Sequence, residues 1–209
     1  KTLVNRGIDV DIFFKKKIKH YNKSRTLGIS KSNIDFFNKS ILNIDKLLWN
    51  ISKIEIYSDN LKKEKILNFQ NKRKQVFSII KNHELNNLIK IDLKKNKIIK
   101  FKKEINLQSI IKKDYKLIFN CDLKNSITKK FFHKKVDKDY ASFAHTTIIK
   151  HKKFYKNDVA VQIFTERGPL AFLPISETET SVVYSARGKK NFSLEKLIYR
   201  YNIKYKIMK

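Results

Sequence analysis

The 209-residue sequence is poor in everything that cross-links or bends a chain: one cysteine, two prolines and four glycines. A single cysteine, Cys121, excludes a disulfide framework and any zinc site built from several cysteines, and it suits a reducing compartment. No apolar run approaches the roughly 18 residues of a membrane span, and no signal-peptide pattern is seen. A cytoplasmic location, or one peripheral to the inner membrane, is therefore expected. Five histidines (His20, His83, His133, His145 and His151) lack any pairwise metal spacing, so no metal centre is expected. His145 reads as a satisfied histidine in a strand. No Gly-x-Ser-x-Gly elbow is present, which removes support for hydrolase chemistry.

Arginine is scarce as well. Of 48 basic residues, only Arg6, Arg25, Arg73, Arg167, Arg187 and Arg200 are arginine. The formal net charge of +29 would ordinarily point to nucleic acid. Readers of phosphate forks and base edges favour the bidentate guanidinium, however, and here lysine is spread along the whole chain. Lysine, asparagine and isoleucine are abundant together and share A/T-rich codons, so compositional drift of solvated faces explains the surplus. A nucleic-acid partner is not expected. A basic nucleic-acid or anionic-surface binder stands as the alternative class.

What is present begins with 41% hydrophobic residues, enough for a core in one domain or two small ones. Both prolines and one glycine fall in Gln162-Ile163-Phe164-Thr165-Glu166-Arg167-Gly168-Pro169-Leu170-Ala171-Phe172-Leu173-Pro174. Apolar runs at Val159 to Phe164 and Leu170 to Ile175 flank Glu166-Arg167-Gly168-Pro169, which predicts a β-hairpin with the reversal at Gly and Pro. A third run, Ser181 to Ser185, adds another antiparallel strand and makes this sheet a candidate pocket wall.

Upstream, Gly7 to Phe14 reads as a strand followed by a basic loop. Apolar residues from Ile34 to Leu48 recur at helical spacing between Ser30 and Asn50, with a break near Asn43, and Trp49 closes the apolar end of that helix. Short strands are expected at Ile54 to Ser58, Ile66 to Phe69, Val76 to Ile80 and Ile98 to Phe101, with a helix over His83 to Lys90. Tyr115 to Phe119 reads as a buried strand. It delivers Asp122 to a turn and then to a helix starting near Asn125 or Ser126, an arrangement that aims backbone N–H groups at an anion, with Lys129 adding charge. An ordinary capped helix accounts for the same pattern, and Cys121 reads as a small buried hydrophobe.

The run Asn120-Cys121-Asp122-Leu123-Lys124-Asn125-Ser126-Ile127-Thr128-Lys129 resembles the internal Asp-Gly fingerprint of flavin-dependent aromatic hydroxylases. The Gly168 to Pro174 hairpin, preceded by Gln162 to Thr165, is similar to the substrate-domain signature of the ubiquinone-biosynthesis members of that family. Gly7 to Phe14, Arg25-Thr26-Leu27-Gly28-Ile29-Ser30 and Ile54 to Asp59 extend the resemblance over nearly the whole chain. It implies a para-hydroxybenzoate hydroxylase type of fold, mixed α/β, in which an incomplete three-layer FAD-binding domain is interleaved with an antiparallel β-sheet substrate domain. The implied FAD-binding segments are 1–50 and 81–135, the substrate segments are 51–80 and 136–190, and a C-terminal helix starts in 191–209.

The implied activity is FAD-dependent hydroxylation of a polyprenylated aromatic ring with O2, NAD(P)H serving as reductant and other ubiquinone-biosynthesis proteins as partners. Arg25, Asp122, Ser126 and Lys129 are the implied cofactor-binding residues, and Phe164, Pro169 and Phe172 the implied substrate pocket. Of Phe164, Phe172 and Leu173, two are expected to pack internally. The sequence departs from the family in lacking a GxGxxG turn and the later Gly-Asp motif, in placing Phe14 where the ribose-binding acid is expected and Leu123 where glycine is, and in having Lys129 in place of arginine. The chain accordingly reads as an interior fragment or degenerate copy, binding FAD weakly, with a non-catalytic relic as a further alternative.

Overall fold

A computed structural model of the protein describes residues 1–14, 22–59, 64–70, 75–103, 115–122, 125–132, 136, 138–188, 192–202 and 204–208. The expected basic loop after Phe14 and the position of Leu123 fall largely outside these. In chain order the elements are β1 (Val10–Phe14), β2 (Thr26–Ile29), α1 (Lys31–Ser40), β3 (Trp49–Ile51), β4 (Lys53–Ser58), β5 (Lys65–Gln70), β6 (Phe77–Lys81), α2 (Asn82–Lys94), β7 (Ile99–Lys103), α3 (Ser126–Phe131), β8 (Ser142–Lys150), β9 (Val159–Thr165), β10 (Gly168–Pro174), β11 (Glu179–Arg187) and α4 (Leu194–Tyr201).

The strands form a six-stranded sheet ordered β5-β4-β9-β10-β11-β8, a three-stranded sheet ordered β2-β6-β3 and the pair β1-β7. In the large sheet β4 and β9 run parallel, and its other neighbours are antiparallel. Successive strand residues point to opposite faces, and here the two faces enter separate cores. Val161, Ile163, Leu170, Phe172, Val182 and Tyr184 pack beneath α4 and the C-terminal tail, against Ile198 and Tyr205. Ala160, Ile148, Leu173 and Ile175 pack against Trp49, Ile51, Phe77 and Ile79 of the three-stranded sheet. Burial on both faces is why β9 and β10 read as continuous apolar runs instead of alternating ones.

A third core joins Ile29, Ile34, Ile44, Ile80 and Leu85. Ser30 caps α1 by accepting the Asn33 N–H. The helix stops at Ser40 because Asn38 turns back, its Oδ1 accepting the Ile44 N–H at 2.9 Å and its Nδ2 donating to Asp45 at 2.7 Å. Trp49 therefore lies in β3 instead of closing a helix, and its Nε1 donates to the Asn157 carbonyl at 2.6 Å.

Tyr115 to Phe119 is not a strand: no ladder pairs it, and Leu117 and Phe119 are exposed at 68% and 67%. A strand is stable only where its backbone groups find a neighbouring ladder. What holds the segment is Tyr115, whose hydroxyl donates to Asp11 of β1 and whose ring meets Phe13 edge-on at 6.0 Å. Lys102 of β7 donates to the same Asp11 carboxylate. Its pKa is lowered by the Lys102 hydrogen bond first and the Tyr115 hydroxyl second.

A buried polar chain ties the C-terminal tail to the large sheet. The Tyr205 hydroxyl donates to Asn157 Oδ1 at 2.9 Å, and Asn157 Nδ2 donates to Thr180 Oγ1 at 3.3 Å and to the Ser176 carbonyl at 2.8 Å. His151 Nδ1 lies 2.9 Å from the Lys152 carbonyl, which can only accept, so Nε2 takes the Thr180 hydroxyl proton across 3.0 Å. In Tyr205, Asn157, Thr180 and His151 every polar side-chain atom has a partner, as burial demands. Asn157→Leu takes the Asn157 partner from the buried Tyr205 hydroxyl and the Ser176 carbonyl and leaves Thr180 with His151 alone. Its expected cost is about 3 kcal/mol, read as a drop of roughly 6–12 °C in thermal midpoint.

On the α4 side of β4, partial burial of Glu55 would raise its pKa, but donors from Lys53, Lys65 and Tyr57 outweigh that and hold it at about 2. The folded carboxylate thus binds its proton more weakly than the unfolded one, whose ordinary value is 4.5. Its contribution is fully present above that value and is lost as pH falls toward about 2. In acid titrations of stability, Glu55→Gln should flatten the slope in that window and leave the slope near neutral pH unchanged.

Candidate functional site

The three-stranded sheet covers only part of the large sheet's second face. The covered row runs through Ile148, Ser181, Leu173 and Ala160, and continues over β4 and β5 to Ile54 and to Phe69, which is 49% exposed. The next row runs Thr146, Val183, Ala171, Gln162, Ile56 and Leu67, and the one beyond it Ala144, Ser185, Pro169, Phe164 and Ser58. Neither of the two outer rows contains a charged residue, in a protein of net charge +29. Phe164 and Leu67 are 47% and 50% exposed. On the other side of Phe164, Ala171, Ser185 and Ala144 add only small side chains, and the two rows together make an uncharged floor on which a planar ring can lie. Ser58 Oγ is buried there with no partner among the described residues.

The segment carrying Arg25 is sewn to one side of this floor. Ser24 Oγ lies 3.1 Å from the Thr146 carbonyl and 2.7 Å from Thr146 Oγ1, while Thr26 Oγ1 lies 3.1 Å from Ser181 Oγ. Ser24 and Thr26 face the sheet, so alternation turns Arg25 away from it, and Arg25 is exposed.

The reversal of the hairpin falls at Glu166-Arg167, not at Gly168-Pro169, which open the returning strand β10. Gly168 is required for a different reason. Its φ is 138°, and a Cβ there would sit 2.0 Å from the Ser185 carbonyl oxygen.

Phe164 and Pro169 are register partners on the open floor. Phe172 is not with them: three residues from Pro169, it points to the opposite face, is 2% exposed and packs 6.4 Å from the Tyr205 ring. Leu173 turns inward as well, toward the small sheet. Asp122, Ser126 and Lys129 are exposed in a separate segment around α3. Asn125 caps α3, its Oδ1 accepting the Thr128 N–H at 2.9 Å. Asn120 and Thr128 close the turn, Thr128 Oγ1 donating to the Asp122 carbonyl at 2.6 Å. Cys121 is exposed, not buried. His145 lies in β8 as expected and packs edge-on to Phe192 at 4.7 Å, and among the described residues its buried Nε2 has no hydrogen-bond partner. Among the described residues no cluster of His, Cys, Asp or Glu could hold a metal. Ser24, Thr146, Ser181 and Gln162 were not singled out as site residues in the sequence, because strand alternation there gives no sign of which face is left open.

No family profile and no curated protein matches the sequence. Solved structures do match its fold. HpxO of Klebsiella pneumoniae, crystallised with FAD and uric acid, superposes with a TM-score of 0.66 over 97% of this chain and 57% of its own, at 11% identity. PqsL of Pseudomonas aeruginosa, described as a probable FAD-dependent monooxygenase, superposes with a TM-score of 0.63 over 89% of this chain and 56% of its own, at 10% identity. The p-nitrophenol 4-monooxygenase PnpA of Pseudomonas putida gives 0.62 over 95% and 56%, at 10% identity.

The chain has the flavin monooxygenase fold. It spans a little over half the length of the structures it matches.

Among the described residues, several at the expected cofactor positions are already committed to one another. Asp11 on β1 is already neutralised by Lys102 and Tyr115, and β1 ends on Phe14. The Thr128 N–H in the first turn of α3 is taken by Asn125. None of the four glycines opens an empty cradle: a Cβ meets nothing at Gly7 and Gly188, ordinary packing at Gly28, and the chain's own backbone at Gly168. Arg25, Asp122, Ser126 and Lys129 are exposed.

Gly168→Ala is expected to cost at least about 3 kcal/mol in urea denaturation, from positive φ and the Ser185 collision together. Gly7→Ala, with a φ of 74° but open space around it, should cost only about 1 kcal/mol.

Proposed function

We propose that this chain supplies the substrate sheet of a flavin-dependent aromatic hydroxylase, and that its substrate is a ring bearing a long hydrocarbon substituent, of the polyprenylated ubiquinone-precursor kind. The observation that carries the reading is the uncharged open half of the large sheet. A ring carrying a carboxylate needs a cation where it is buried, and the two open rows of the floor offer none. An apolar tail instead finds Ile56, Leu67 and Phe69 continuing outward from Phe164 over β4 and β5. Gln162, Ser185 and Thr146 are the polar groups available to orient a phenolic oxygen.

On this reading residues 53–70 and 142–187 are the substrate part, and the β1-β7 pair with residues 115–132 is what the chain contributes to the cofactor part. When bound, FAD supplies the oxygen-activating chemistry, with O2 as oxidant and NAD(P)H as reductant. The residues here orient the ring and keep water from it. The isolated chain binds FAD more weakly than micromolar, since the groups that seat a long dinucleotide are incomplete in it.

Calorimetric titration of the chain with a farnesylated phenol, with 4-hydroxybenzoate and with FAD tests the reading. The farnesylated phenol should bind with a Kd on the order of micromolar, and the other two only far above that. Phe164→Asp should weaken the phenol at least about tenfold, through loss of apolar contact and a buried charge. Equal binding of 4-hydroxybenzoate, or indifference to Phe164→Asp, rejects the assignment of the floor. A stoichiometric FAD complex of micromolar affinity rejects the incomplete cofactor seat.

A further inference from the structure

The connection from β8 to β9 reads His151-Lys152-Lys153-Phe154-Tyr155-Lys156-Asn157. Its two ends are clamped. His151 and Asn157 are 0% and 1% exposed, and both belong to the polar chain that ends on Tyr205. The five residues between them are all exposed, Tyr155 to 81%. The middle of the loop is held as well, the Phe154 N–H donating to the Glu177 carbonyl at 2.8 Å.

The C-terminal tail runs alongside and extends the same surface. The Lys152 N–H donates to the Lys206 carbonyl at 3.0 Å and the Met208 N–H to the Lys150 carbonyl at 2.9 Å. Exposed Lys150, Lys206 and Met208 thus join Lys152, Lys153 and Lys156. Half-buried Lys204 lies 4.6 Å from the Phe154 ring centroid, and Lys153 lies 4.6 Å from that of Tyr155. Four carboxylates lie near these six lysines: Glu177, paired with Lys153 at 3.0 Å; Asp158, which accepts the Ser52 hydroxyl at 2.6 Å; Glu55, beside Lys204; and Glu179, the register partner of Lys150 that also pairs with Lys81. The surface stays net positive.

Lysine is exposed elsewhere too, on α1, α2, β7, α3 and α4, so charge alone singles out nothing. What distinguishes this loop is an aromatic side chain held in solvent on a clamped backbone, with lysines on both sides and a methionine beside it. Folding gains nothing from exposing Tyr155, and the clamp means that little entropy is lost when the loop meets a partner. A bilayer interface takes an amphipathic ring at headgroup depth, an unbranched apolar chain just below it, and lysine stems that snorkel to anionic headgroups. Residues 150–158 and 204–208 contain no arginine, the side chain that nucleic-acid phosphates and bases favour.

We propose that the β8–β9 loop and the adjoining C-terminal tail dock this protein on an anionic lipid surface.

Flotation of the full chain with phosphatidylcholine vesicles containing about a third phosphatidylglycerol, against pure phosphatidylcholine, tests the proposal. Binding is expected only to the anionic vesicles and should weaken with salt. The triple variant Lys152→Glu, Tyr155→Ser, Lys156→Glu should lose at least about tenfold in partitioning. Lys90→Glu with Lys94→Glu on α2 makes the same charge change and should stay within about twofold. Should the triple variant fail to fold, Tyr155→Trp gives a second readout, its emission shifting to the blue with anionic vesicles alone. Equal losses in the triple and α2 variants, or no emission shift in Tyr155→Trp, overturn the proposal. So does a single-stranded RNA that binds more tightly than vesicles and loses that binding in the triple variant.

Discussion

A strand sends alternate side chains to opposite sides, and most of this protein follows from how a six-stranded sheet places both sets. The set on one side is covered over the middle of the sheet by α4 and the returning tail. The other is covered over one row by the three-stranded sheet and then left open. Hydrophobic burial on both sides holds the sheet in register, because a slip by one residue would exchange the two cores. The same register makes neighbours of Phe164 and Pro169 and sends Phe172 away from them. The candidate floor is the uncovered remainder of a surface whose other parts are committed to packing.

The second constraint is polar. Tyr205, Asn157, Thr180 and His151 form one line of hydrogen bonds in which donors and acceptors are all matched. A line of this kind is worth its cost only when complete, since each unmatched member leaves a desolvated group. It fixes the tail against the sheet and, by the same bonds, fixes both ends of the Lys152 to Lys156 loop. A stable core and a rigid exposed loop thus share one cause. Glu55 plays a smaller part of the same kind at β4, where its cationic and phenolic donors outweigh desolvation.

Several features were legible before any coordinates. The hairpin, the strands β4, β5 and β11 and the cap at Asn125 follow from apolar spacing and cap chemistry, and the fold was implied by the family resemblance of the Asn120 to Lys129 and Gly168 to Pro174 runs. Tyr115 to Phe119 misled because an apolar run has strand composition whether or not a ladder is there to pair it. Trp49 misled because Asn38 ended its helix early, an effect of one side chain reaching six residues ahead. Gly168 was recognised as special, but for a turn two residues away from its actual task beside Ser185.

Local chemistry by itself marked most of the strands, the start of α3 and the spread of lysine along the chain, because these depend on neighbours within a few positions. Only the tertiary structure decided which face of the sheet lies open, that Ser24 and Thr26 bind beside it with Arg25 turned outward while Phe172 lies on the other face, and that an exposed tyrosine stands on a clamped loop. Those outcomes depend on contacts between residues as far apart as Ser24 and Thr146, or Asn157 and Tyr205. A period of two specifies that alternate residues part company, and it is silent on which of the two sets another element will cover.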